Sequence, residues 1–183
     1  MNAYDLIRSR RSVRAFEPRP LPREAVARCL EAAVWAPNHG LTQPWRFAVL
    51  GGAALRELAA LSSTLEARQP PDPGQDAAGP LQQAAAAVAV WQAEAPDART
   101  GAADRLAVAA AVQNLLLCAW DEGWAGTWLG GPLLSDPAVR RLVRAPGGDD
   151  LAAVLALGWP AEVPPLRPRR RLAELTRWVW DEA

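Results

Sequence analysis

Arg10, Arg11, Ser12 and Arg14 crowd three guanidiniums and one hydroxyl into five consecutive positions. Cations this close repel one another unless an anion lies among them, and the planar guanidinium fork matches a phosphate well. The segment reads as a phosphate cradle, or as a solvated helix end whose cations complement the helix dipole; composition alone leaves both open. Arg167, Arg169, Arg170 and Arg171 form a second cluster near the other end of the chain. In extended backbone Arg167, Arg169 and Arg171 share a face, an arrangement better suited to a single phosphate than to a broad polyanion.

Two further segments carry polar or glycine-rich chemistry. Ala36 to Trp45 places Asn38, His39, Thr42 and Gln43 between two prolines, on a loop that joins a helix to a strand and could line a pocket. His39 is the only histidine, which excludes a multi-histidine metal site. It could complete a hydrolytic triad with Ser12 and an aspartate, but no GxSxG elbow supports one, and a lone histidine is as readily a structural residue. Gly126 to Pro132 follows a strand, and its glycines would let backbone N–H groups approach a flat ligand, or simply make a strand-end turn. Neither GxGxxG nor GxxxxGK[ST] occurs, so dinucleotide and nucleoside-triphosphate loops of those types are excluded.

Twenty basic residues, all arginine, balance twenty acidic ones. There is no net field to attract nucleic acid or an anionic membrane, and neither is expected as a partner. Half of the residues are apolar and 22% are charged, the mix of a globular chain. A length of 183 residues suits one hydrophobic core, so residues 1–183 read as a single domain. The start of the chain lacks the pattern of a secretory signal. Cys29 and Cys118 have no CxxC partner and read as small buried hydrophobes in a reducing, cytoplasmic setting.

These residues must be positioned by an alternation of helices and short strands. Helical spacing predicts helices over Ala3–Ser9, Pro22–Trp35, Ala53–Leu65, Ala102–Glu122 and Asp136–Val143. Short apolar runs predict strands over Arg46–Leu50, Ala85–Trp91, Trp124–Leu129 and Leu151–Leu157. The uncharged run Leu106–Trp120 is shorter than the roughly 20 residues that span a bilayer and reads as a core helix. Residues 69–80, rich in proline, read as an exposed loop, either a mobile lid or a surface insertion. The tail 164–183 is expected to be extended by Pro164, Pro165 and Pro168 and to pack on a second subunit. The fold class is α+β, helices on one sheet.

The Arg-Arg-Ser-Val-Arg start, the Ala-Pro-Asn-His-x3-Gln-Pro-Trp-Arg-Phe segment, the Gly-x-Trp-x-x-Gly turn and the arginine-rich tail occur in an order and spacing that resemble the FMN-dependent nitroreductase family, its small branch above all. The resemblance covers essentially the whole chain. It implies a central, mostly antiparallel sheet flanked by helices, in an intertwined homodimer with FMN at the interface. By motif position, Arg10 and Ser12 would bind the FMN phosphate with Arg169 and Arg167, Arg11 belongs to the same segment, and Arg14 would reach the flavin ring. His39 and Gln43 would approach from the partner subunit, and Trp128, Leu129 and Gly130 would place backbone N–H groups by flavin N5.

The activity so implied is ping-pong transfer of hydride from NAD(P)H, through the flavin, to a nitroaromatic, a quinone or a similar small electron acceptor. The flavin carries the chemistry, so no catalytic side chain is required, with His39 the one candidate proton donor. Trp35 and Leu129 stand where close relatives carry arginine, so a contact is lost or replaced by stacking, and the pocket becomes less basic. The alternatives are a flavin-consuming or dehalogenating reaction on the same fold, or a non-catalytic FMN-binding protein.

Overall fold

The computed structural model describes residues 2–71, 76–146 and 151–180. Helix α1 spans Ala3–Ser9 and is capped by the Asn2 side chain, which accepts from the Asp5 amide at 2.9 Å. Helix α2, Arg23–Ala33, buries Ala25, Val26, Cys29 and Ala33 along one stripe. A 3-10 turn at His39–Leu41 leads to strand β1, Trp45–Leu50. Helix α3, Gly52–Arg68, and the short helix α4, Ala78–Gln83, precede strand β2, Ala86–Gln92. Helix α5 runs from Ala98 to Asp121, strand β3 from Ala125 to Leu129, helix α6 from Pro137 to Val143 and strand β4 from Leu151 to Gly158. One helical turn, α7 at Leu172–Leu175, interrupts an otherwise extended tail.

The four strands form an antiparallel sheet in the order β1-β2-β4-β3. Its two central strands are buried on both faces, and period-two alternation divides their side chains between two cores. Val88, Val90, Ala153, Leu155 and Leu157 face α2 and α5, whereas Ala87, Ala89, Trp91, Val154 and Ala156 face the side covered by Leu55 and Leu58 of α3 and Val139 of α6. The expected α+β sheet flanked by helices is therefore present.

The differences from expectation have local causes. Helix α5 starts before Ala102 because Asp97 caps it, accepting from the Thr100 amide at 2.9 Å. That first turn is mostly exposed and carries no apolar period to read. The whole helix is long and apolar enough to cross a membrane by length and composition, but it is packed against α2 and the sheet, with Val108, Val112 and Leu115 fully buried. Helix α2 ends at Ala33, leaving Trp35 in a turn.

The proline-rich segment is not wholly an exposed loop. Residues 72–75 lie outside the described residues, but Ala77, Ala78, Pro80 and Leu81 are buried. Glu66 fastens them by accepting from the amides of Ala77 and of Ala78, the latter at 2.9 Å.

Candidate functional site

Helix α1 delivers Arg10 and Arg11 at its C-terminal end. The Arg11 guanidinium folds back and donates from Nη1 to the carbonyls of Arg8, Ser9 and Arg10 at 2.9, 2.7 and 3.0 Å. It satisfies carbonyls that every helix leaves open at its C-terminus. Arg10 has a buried Nη1 with no acceptor among the described residues, as does Arg11 at Nε. Burial, together with the like charges of Arg11 and Arg169, pushes its guanidinium below the ordinary arginine value. A desolvated cation beside two other cations is a position that an anion would relieve.

The surroundings make room for one. A groove of about 960 Å³ is lined by Tyr4, Ile7, Arg8, Arg10, Arg11, Ser12 and Arg14, by Thr127 and Trp128 of β3, and by the tail from Pro164 to Arg169. Cofactor pockets occupy roughly 300–1,000 Å³. Ser12 is held at the edge of the sheet by a parallel bridge to Gly126. Gly126 also packs tightly on the core behind it: a Cβ there would lie 2.6 Å from Leu157 Cδ2 and 2.9 Å from Leu116 Cδ2. Beside it, Thr127 and Leu129 turn into the interior while Trp128 is 42% exposed, so an indole lies on the groove wall. Arg167 and Arg169 of the second cluster, more than 150 positions from the first in sequence, thus line the same cavity as Arg10, Arg11 and Arg14, while Arg170 and Arg171 do not.

Arg14 lines the same groove but is engaged, donating to the Asp76 carbonyl and pairing with its carboxylate at 2.9 Å. Asp76, the partner of Arg14, is a residue that the sequence alone does not single out, and nothing in its proline-rich context signals it.

His39 and Gln43 do not reach this groove within the chain. Their loop precedes β1, at the edge of the sheet opposite β3, and both side chains are exposed. The loop is built under constraint: Leu41 and Gln43 have φ of 54° and 47°, in the left-handed region that side chains rarely adopt. Two contacts hold it. Asn38 Oδ1 accepts from the Gln43 amide at 3.0 Å, and Asp104 accepts from Thr42 Oγ1 at 2.6 Å. Asp104 was also missed, although its spacing signals it: it sits in register with Ala107, Val108 and Ala111 on the buried stripe of α5, where a carboxylate needs a reason.

Three further expected site positions lie elsewhere in the single chain. Leu129 packs in the core with Leu133, Val139 and Val154, so its side chain does not set the charge of the groove; only its backbone can face a ligand. Gly130 lines a separate hollow of about 240 Å³ with Ser62, Glu66, Pro70 and Pro132. Trp35 is 85% exposed and lies outside the groove, so within one chain it replaces no groove contact.

The sequence profile of the Nitroreductase family matches residues 7–159. The chain belongs to this family. It is 31% identical to the Bacillus subtilis (strain 168) protein named "Putative NAD(P)H nitroreductase YfhC", over 90% of this chain and 88% of that one. It is also 31% identical to the 5,6-dimethylbenzimidazole synthase of Rhodospirillum rubrum, over 94% of this chain and 88% of the relative. Among solved structures, a nitroreductase-like family protein from Bacillus cereus superposes with a TM-score of 0.84 at 25% identity, covering 98% and 96% of the two chains. A Desulfovibrio desulfuricans protein of the nitroreductase type, solved in complex with FMN, superposes with a TM-score of 0.75 at 28% identity, covering 100% and 99%.

Proposed function

We propose that the groove binds FMN and that the protein is an NAD(P)H-dependent oxidoreductase working by a ping-pong scheme on a nitroaromatic, a quinone or a similar acceptor. The observation that carries this reading is the orphaned, desolvated Arg10 guanidinium facing Arg169 across a groove of cofactor size. A phosphate supplies the missing acceptor, and the aromatic face of Trp128 suits a planar ring system. Bound FMN would supply a two-electron carrier, which no side chain of this protein can replace.

The residues then divide the labour. Arg10, Ser12, Arg167 and Arg169 hold the phosphate. Arg11 keeps the end of α1 closed so that Arg10 is aimed into the groove. Arg14 serves the ring end, where a fixed cation favours the reduced, more anionic flavin, and Trp128 walls the face. The backbone of Leu129 and Gly130 offers N–H groups near N5. The loop carrying His39 and Gln43, with Trp35 beside it, completes the site from a second copy of the chain, and the protein works as a homodimer. A second reading, a specialised reaction on the same fold, is supported by one observation: the synthase from R. rubrum shares 31% identity with this chain over 94% of this chain's length.

The test is direct. Purified protein should show a flavin spectrum, or acquire one with added FMN, and NADH or NADPH added without oxygen should bleach it. Colourless protein that takes up no FMN would falsify the proposal. Bound flavin that neither nicotinamide reduces favours the specialised reaction.

A further inference from the structure

Outside the groove lining, the structure joins two cysteines that the sequence places 89 positions apart. Cys29 is fully buried on α2, and Cys118 is half-buried on α5. Their sulfurs and a carboxylate oxygen of Glu122, at the end of α5, lie within 4.8 Å of one another. Metal–sulfur bonds of about 2.3 Å in tetrahedral geometry put ligand atoms about 3.8 Å apart, so closing on an ion needs shifts of no more than about 1 Å. Glu122 is already oriented: Arg28 donates to both of its oxygens at 2.8 Å, and Trp124 Nε1 donates at 3.4 Å.

We propose that Cys29, Cys118 and Glu122 form a binding site for a thiophilic divalent cation of the zinc and cadmium class, with water in the fourth position. The cation displaces one proton from each thiol and releases both to solvent, leaving two thiolates, one carboxylate and a 2+ ion. The resulting single negative charge is offset by Arg28, which keeps one carboxylate oxygen while the other turns to the metal. The third ligand separates this site from a bare thiol pair, because a disulfide would use neither Glu122 nor Arg28. Water reaches the fourth position from the Glu122 side, where that side chain is 25% exposed. The bound ion would tie α2, which leads into the His39–Gln43 loop, to α5, which leads into β3.

The experiment is a cadmium titration of the reduced, full-length protein, followed by the thiolate-to-cadmium charge-transfer band in the ultraviolet and by counting thiols that remain reactive. One equivalent per chain is expected, with both thiols protected and the melting temperature raised. Cys118→Ala should abolish the band. Glu122→Gln, which leaves both thiols in place and keeps one oxygen as an acceptor for Arg28, should weaken binding by about tenfold or more. Absence of a band in the wild-type protein, a band that persists in Cys118→Ala, or equal affinity in Glu122→Gln overturns the proposal. So does a Cys29–Cys118 disulfide that survives purification under reducing conditions.

Discussion

The two edges of the sheet are finished in opposite ways. At the β3 edge, backbone closes on backbone: Ser12 bridges to Gly126, and the tail and α1 wall a deep groove. At the β1 edge a strained loop carries His39 and Gln43 into solvent, steadied by Asp104 and Asn38. Strand register puts the loop at the end of the sheet where β4 begins, because Trp45 of β1 pairs with Gln92 and Trp91 of β2 pairs with Leu151, whereas Gly126, which Ser12 meets, pairs with Leu157 near the other end of β4. Three strand spacings, about 14 Å, separate the two edges. Under the proposed function, the groove at one edge holds the ligand, and the loop at the other edge, from a second copy of the chain, closes over it.

Co-expression can break this comparison most decisively. Arg10→Ala removes a charge-assisted contact worth about 1.5–3 kcal/mol, so FMN should bind ten- to hundredfold more weakly by fluorescence titration. A mixed dimer of Arg10→Ala and Gln43→Ala chains should recover one intact site of its two; if groove and loop served the same chain, it would recover none. Gly126→Ala tests the closed edge, since a Cβ there must push aside Leu157 and Leu116. A loss of about 1–3 kcal/mol in denaturant unfolding, with weaker FMN retention, is expected.

The open edge is probed more gently. Thr42→Val removes the hydroxyl donor to Asp104 and should cost about 1 kcal/mol in stability. Flavin-linked turnover should fall while the phosphate grip, read as FMN affinity of the Arg10 side, stays nearly constant. Smallest is an acid effect at Asp97. Hydrogen bonds from Thr100 hold its carboxyl below the usual aspartate range, so its contribution is complete above that range and fades as pH falls through the lowered value. Thermal melts of Asp97→Asn should lose part of that acid-side slope and match the parent least well at neutral pH.

What the sequence made legible followed from periodicity. The strands β1, β2 and β4 and the helices α1, α3 and α6 have apolar spacing that declares them, and motif order pointed to the two arginine clusters before any contact was known. Less legible was whatever depends on tertiary partners. Nothing in the series Arg10, Arg11 reveals that one guanidinium caps its own helix while the other is left without an acceptor, because that is decided by how Arg11 folds back on α1. Leu129 carried a motif position into an expectation about groove charge, yet strand alternation turns its side chain into the core. The pairing of Cys29 with Cys118 depends on how α2 crosses α5, and no local spacing encodes a crossing.

The crowded guanidinium of Arg10 also bears on how the polypeptide matures. A chain that ends α1 in a half-buried cation beside Arg11 and Arg169 is locally frustrated, and under the proposed function the ligand that relieves it would act as a late component of folding. By mass action, each tenfold excess of such a ligand over its dissociation constant adds about 1.4 kcal/mol to the native state. Amide exchange in α1 and along residues 164–169 should therefore be fast in newly made chains and slow once the groove is filled.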